Sequence, residues 1–173
     1  NATHFGVVVE GSVDILTPDR MWTLHAGDYF SIVGKATVHG SGKGLVHSFS
    51  NYKGVNLVGG PIEETGRLKY IDGCTDSLLI PPVKMGDPCL NHLHFPKNIT
   101  QTPHTHPSIR AGIIYRGEGE CVLPDKKIPL KPFNVWLIEP NTVHSFDTHE
   151  DIMDVIAFHP DSDYGPRDEN HPM

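Results

Sequence analysis

Apolar residues along this chain alternate with polar ones over short runs, and the three- and four-residue recurrence of an amphipathic helix is hard to find. The pattern predicts strands over Phe5–Val9, Ser12–Leu16, Tyr29–Val33, Gly54–Val58, Asn91–Phe95, Gly112–Tyr115, Glu118–Leu123, Val135–Ile138 and Asp154–Phe158. Each run is bounded by Gly, Pro, Asp or Asn. Short, evenly spaced strands with turn signals between them predict an all-β sandwich or barrel.

The pattern also repeats. The run from His4 to Val13 lies over Arg110 to Gly119 at an offset of 106 residues, with Gly6 over Gly112 and Gly11 over Gly117. Leu24–Ile32 lies over Leu130–Ile138 at the same offset, and one inserted residue then brings His39 over His144. Register kept through a second pair of strands predicts a duplicated chain. The expected organisation is a partial N-terminal half over 1–60, a connector over 61–88, a C-terminal half over 89–160 and an arm over 161–173. The connector holds Pro61, Pro81-Pro82 and Gly86-Asp87-Pro88, with a strand or short helix among them.

Composition narrows the classes. With 38% hydrophobic and 20% charged residues among 173, a packed core is within reach and wholesale disorder is not expected. Seventeen glycines and fifteen prolines favour many turns over long helices. A formal charge of −7 opposes binding to a phosphate backbone, so no nucleic-acid partner is expected. No apolar run approaches the roughly 18 residues of a membrane span, so no membrane partner is expected either. Cys74, Cys89 and Cys121 are far apart, odd in number and without CxxC spacing, which predicts reduced thiols in a cytoplasmic protein. The sequons at Asn1 and Asn98 are read as chance matches. The chain opens without Met in strand-like sequence, which implies further residues upstream.

Twelve histidines make histidine placement the main clue to chemistry. In Pro103-His104-Thr105-His106-Pro107, two imidazoles at alternate positions of an extended segment share a face. They can reach one ion at about 2.0–2.2 Å. Continued parity places Arg110 on the same face, with a salt bridge to Asp154 or Glu120 as its structural alternative. His144 arrives after the turn Glu139-Pro140-Asn141-Thr142. Three histidines on one arc leave coordination positions open, as a catalytic site requires.

His104 and His106, the position of Arg110 and the later Gly117 together resemble the first motif of the cupins. Glu139-Pro140-Asn141-Thr142-Val143-His144 resembles the second. The resemblance covers residues 91–158 well and 5–49 more faintly, so it implies a bicupin or a fragment of one. The fold it implies is a jelly-roll (double-stranded β-helix) barrel, duplicated, with the N-terminal copy incomplete. Arg110 stands where many cupins carry a glutamate ligand, Asn98 and Asn141 where glycines are usual, and Thr148 in place of an asparagine. A guanidinium has no lone pair to give a metal, so the implied site is three neutral histidines beside a cation. In the N-terminal copy, the counterpart of the His-x-His pair would fall just before residue 1.

The site resembles that of three-histidine cupin dioxygenases of the gentisate-type and β-diketone-cleaving kinds. The resemblance implies one divalent metal ion, Fe(II) first, with Zn, Ni, Mn or Cu as alternatives. It implies cleavage of a small anionic oxygenated substrate (carboxylate, aromatic diol or diketone) that Arg110 orients. A metal-dependent lyase, isomerase or hydrolase is the second reading, with Tyr115, Glu139 and Asp154 as candidate acid or base groups. A non-catalytic small-ligand-binding module is the third, and a homodimer is the default assembly. Trp136, Ile138 and Phe146 are candidates for an apolar pocket wall or plain core. His92 and His94 are read as hydrogen-bonded histidines lining a barrel face or an interface, with a ligand role as the lesser alternative, and His39 and His47 are no more than candidates for a remnant site. His25, His149, His159 and His171 are read as surface or loop residues.

Overall fold

A computed structural model describes residues 2–169, so His171 and the first residue of the Asn1 sequon lie outside the described residues. Apart from one 3-10 turn at Ile71–Gly73, the regular elements are all strands. The described chain divides into two compact units. The first comprises residues 2–63, 79–89 and 161–169, the second 64–78 and 90–160. The stretch read as a connector is therefore shared between the units.

The first unit carries β1 (Ala2–Glu10), β2 (Ser12–Leu16), β3 (Met21–His25), β4 (Tyr29–Val33), β5 (Thr37–Gly40), β6 (Lys43–Ser50) and β7 (Leu57–Gly59). They form a four-stranded sheet in the order β6-β1-β4-β7 and a three-stranded sheet in the order β3-β2-β5. Val8, Ile15, Leu24, Phe30 and Ile32 are the buried core of this unit.

The remaining strands are β8 (Leu68–Lys69), β9 (Thr75–Ile80), β10 (Cys89–Phe95), β11 (Arg110–Gly117), β12 (Gly119–Leu123), β13 (Lys126–Leu130), β14 (Val135–Ile138), β15 (Ser145–Asp147) and β16 (Met153–His159). Six of them form a sheet in the order β14-β11-β16-β10-β9-β8, and three form a second in the order β13-β12-β15. Residues of one parity on β10, β11 and β16 (Leu93, Phe95, Ile114, Val155 and Ala157) join Leu130, Ile138 and Phe146 in one buried core. The opposite parity of the same sheet is also buried and carries His92, His94 and Asp154.

The same pairing diagram runs through both units. β1 pairs with β4 and β6 as β11 pairs with β14 and β16. His4 lies opposite Ile32 as Arg110 lies opposite Ile138, and Val13 opposite Leu24 as Gly119 opposite Leu130, all at the 106-residue offset. A break in register falls between Val8 and Glu10 on β1 and between Ile114 and Arg116 on β11. It is followed by a glycine at positive φ in each case, 73° at Gly11 and 70° at Gly117. The register departs from the sequence alignment at one informative place. Asp14 lies opposite His39, whereas Glu120 lies opposite Asp147. His39 therefore corresponds to Asp147, and extension by three residues sets Ala36, not His39, against His144.

Candidate metal centre

The segment that carries His104 and His106 is not a strand of either sheet; β11 begins only at Arg110. It is held instead by an isolated antiparallel bridge in which His104 and His144 exchange both backbone hydrogen bonds, at 2.9 and 3.0 Å. The Asn141 N–H donates to the His106 carbonyl at 2.7 Å. Gln101 closes the same segment onto β15, its N–H donating to Asp147 and its side-chain oxygen accepting from the Phe146 N–H. An extended strap lying along β15 thus brings three imidazoles together, with ring centroids 4.6 to 5.3 Å apart.

One ring nitrogen from each of His104, His106 and His144 lies within 4.8 Å of the others. The Nδ1–H of His104 donates to the Thr102 carbonyl, and that of His144 to the Thr142 carbonyl, each at 2.9 Å. A carbonyl only accepts, so these bonds place the proton on Nδ1 and leave the Nε2 lone pair for a ligand role. His144 is 2% exposed. Its pKa is lowered chiefly by burial, opposed by the Thr142 carbonyl and reinforced by His104 and Arg110. A neutral imidazole is the form that binds a metal. The donor set, three imidazole nitrogens with no carboxylate, fits a divalent transition ion.

The three histidines line a narrow cavity of about 20 Å³, the scale of one water molecule. Arg110, 6% exposed, forms part of its wall. Its guanidinium donates to the Ser108 hydroxyl and, at 3.0 Å, to the Ile109 carbonyl. The alternative partners named from sequence are engaged elsewhere: Asp154 with His92, His94 and Arg116, and Glu120 with Lys127. Trp136, Ile138 and Phe146 form an apolar wall, and the Trp136 Nε1–H is buried without an acceptor. Tyr70, Gln101 and His159 complete the polar lining, and no Asp or Glu belongs to it among the described residues. The Tyr70 phenol is pushed up to about 12, mainly by burial and then by Asp76 and Cys74, against the opposing pull of Arg110, so it remains a neutral donor.

Two of these residues escape sequence reasoning. His159, read as a surface or loop residue, has its ring 6.3 Å from that of His106 and lines the cavity. It shares the inward parity of Val155 and Ala157, but the same strand is buried on both faces, so no alternation marks that parity in sequence. Tyr70 comes from the stretch read as a connector. Of the other histidines, His25, His39 and His149 are exposed and His47 is half-buried. None of these four falls in a cluster of three ligand-type residues among the described residues.

A second histidine cluster lies on the opposite face of the six-stranded sheet. The Asp154 carboxylate, fully buried, accepts from His92 Nε2 at 2.7 Å and His94 Nδ1 at 2.8 Å, and from Arg116 through its other oxygen. Burial pushes the Asp154 pKa up, but the donors His92, Arg116 and His94 outweigh it and hold the carboxyl below its usual value. These are hydrogen-bond distances, and the guanidinium already neutralises the carboxylate, so the cluster is a buried ionic network.

Comparison with known proteins follows the same lines. Residues 86–160, less than half of the chain, match the model of the AraC-like ligand binding domain. No curated protein matches the sequence. Among solved structures, a cupin 2 conserved barrel domain protein from Leptotrichia buccalis aligns with a TM-score of 0.64 at 14% identity, covering 90% of this chain and 72% of that one. A putative glyoxylate-induced protein from Pseudomonas aeruginosa gives 0.74 at 14% identity, with coverages of 96% and 68%. A salicylate 1,2-dioxygenase from Pseudoaminobacter salicylatoxidans, in complex with gentisate, gives 0.68 at 10% identity, with coverages of 92% and 63%. At such identities the likeness establishes the fold, and the fold is that of the cupins.

Proposed function

We propose that this cupin-fold chain is a non-haem Fe(II)-dependent dioxygenase acting on a small anionic oxygenated substrate, a carboxylate, aromatic diol or diketone. The observation that carries the reading is the make-up of the cavity: three imidazoles, one buried guanidinium and no carboxylate. His104, His106 and His144 would hold the metal. When bound, Fe(II) supplies the redox chemistry that couples substrate oxidation to dioxygen, while Zn, Ni, Mn or Cu in the same nitrogens would serve other ends.

The chain's own residues do the rest. Once the cavity, which holds about one water molecule as it stands, widens to admit an anionic substrate, Arg110 offers it a planar fork of donors, and burial strengthens that attraction. Tyr70 and the Trp136 indole add neutral donors, so the cavity presents hydrogens to an oxygen-rich ligand. Trp136, Ile138 and Phe146 exclude water from it. The lyase, isomerase or hydrolase reading needs a positioned acid or base. The candidates Tyr115, Glu139 and Asp154 are all absent from the cavity wall, and Tyr70 and His159 stand there as the groups that reading would have to use instead. The matching strand pairings and registers of the two units support a duplicated, bicupin chain with one metal-binding half.

A second reading is favoured by the match to a ligand-binding domain: a non-catalytic module that takes a small ligand in the same cavity. Elemental analysis and oxygen uptake decide between them. The expected result is near one iron per chain after reconstitution, lost in His104→Ala, with dioxygen consumed when aromatic diols or β-diketones are offered. Iron bound with ligand affinity but no oxygen uptake moves the reading to the binding module. Wild-type protein that takes up no metal overturns both the metal assignment and the dioxygenase.

A further inference from the structure

The ligand strap is fastened on one side to β15, and its other side meets the 3-10 turn that follows β8. The Asp72 carboxylate accepts from the Thr102 N–H at 2.6 Å, and the Thr102 carbonyl accepts from the His104 Nδ1–H at 2.9 Å. Asp72 sits at φ 55°, ψ 34°, a left-handed conformation that Asp and Asn tolerate better than other non-glycine residues. The turn is anchored from both ends. Cys74, 1% exposed, is buried in the core, its N–H donates to the Ile71 carbonyl, and the Tyr70 N–H donates to the Cys74 carbonyl. Tyr70 from the same turn packs against that core and lines the metal cavity.

We propose that the turn Tyr70–Cys74 belongs to the metal centre, and that Asp72 is its positioning residue, holding Thr102 so that the Thr102 carbonyl keeps the His104 ring turned toward the ion. The inference rests on the three-histidine metal reading. Asp72 never touches the ion. It fixes the backbone acceptor that selects the His104 tautomer and orientation, as carboxylates behind ligand histidines commonly do. The reach is one residue longer here, because a peptide unit stands between carboxylate and imidazole.

The test uses the full chain with Co(II) as probe, comparing wild type, Asp72→Gly and Asp72→Asn. Glycine accepts the left-handed backbone and removes the acceptor; asparagine keeps a carbonyl oxygen in its place. Co(II) affinity is measured by competition with a chromophoric chelator, beside the visible absorption of the bound ion and the melting of the metal-free proteins. Loss of a hydrogen bond made directly to a ligand histidine weakens metal binding by roughly 10-fold to 100-fold, and Asp72 acts one bond further out, so a loss of about 10-fold, the low end of that range, is expected. The expected result is such a loss in Asp72→Gly with an altered Co(II) spectrum, and recovery in Asp72→Asn to within about 3-fold of wild type. The metal-free Asp72→Gly protein should melt within about 4 °C of wild type, the scale of one lost hydrogen bond in a chain of this size. Wild-type affinity and spectrum in Asp72→Gly overturn the inference while leaving the metal site standing. Equal losses in the glycine and asparagine variants overturn it too, since the acceptor would then not matter. A wild-type protein that binds no Co(II) removes the metal reading and this inference with it.

Discussion

The Nδ1–H bonds of His104 and His144 end on backbone carbonyls two residues upstream, so the immediate acceptor of each ring is main chain. That makes the site legible from sequence. His-x-His and a Pro-led turn before the last histidine suffice, because the motif itself supplies the acceptors two residues upstream, Thr102 and Thr142. Arg110 lines the cavity as expected, although bends at Pro107 and Ser108 interrupt the extended run on which the parity argument relied. His159 and Tyr70 were not legible, since one stands on a strand buried on both faces and the other in a stretch with no apolar period. Two titrating residues away from the site make separable predictions. His47 is lowered to about 4 by burial, against 6.5 in the unfolded chain. A depressed histidine favours the native state fully above pH 6.5 and progressively less as pH falls toward about 4. Chemical denaturation of His47→Gln against wild type should show a shallower loss of stability over that window. Asp154, held below 3.8, acts in the same direction at lower pH: its contribution is present above pH 3.8 and is lost as pH falls through its depressed native value. At neutral pH, Asp154→Ala removes the acceptor from Arg116, His92 and His94 and should cost about 3 kcal/mol in denaturant unfolding.

Strand existence was readable where apolar residues recur, and β2, β4 and β14 have the predicted limits. Several of the elements that sequence missed have little to bury: β5 is exposed throughout, β13 is exposed at four of its five positions, and β6 alternates half-buried with exposed residues, whereas β15 is buried throughout and escaped notice because it is only three residues long. Their pairing partners define them, and partners are not visible along the chain. The ligand strap shows the converse. Residues 104–106 were read as extended and are so held, but outside any sheet, by the bridge to His144 and the Asn141 hydrogen bond, which leaves the rings free to converge. The register break shared by β1 and β11 gives this scale its prediction. Gly117 has φ 70° and its added Cβ would meet the Ile152 carbonyl, a backbone atom. Gly11 has φ 73° but its added Cβ would have the Cα of Gly42 as nearest atom, at 3.1 Å. Gly11→Ala should therefore cost about 1 kcal/mol of backbone strain, and Gly117→Ala about 2 kcal/mol or more. Thermal melts of the two variants check the order; equal shifts would mean that the carbonyl contact adds nothing.

At the scale of the whole chain, the parallel between the pairing diagrams of the two units was visible in sequence because turn glycines and strand spacing recur at one offset. Its assignment of His39 to the His144 position did not survive, because an alignment without strand pairing has no way to place insertions between β4 and β5. The pairing of Asp14 with His39 and of Glu120 with Asp147 moves the correspondence by three residues, and Ala36 takes the place of the ligand. An alanine offers no lone pair, so the first unit cannot repeat the three-histidine site whatever its other positions supply. Two histidines alone hold a divalent ion far more weakly than three, since each lost ligand removes a bond and returns a coordination position to water. Titration of the metal-free chain with Zn(II) or Co(II) should therefore saturate at one tight equivalent and not two. His144→Ala should abolish that equivalent, while His39→Ala, which changes an exposed residue of the other unit, should leave both its stoichiometry and its affinity unchanged. A second tight equivalent, or one lost on removing His39, would restore the sequence alignment and show that both halves carry metal.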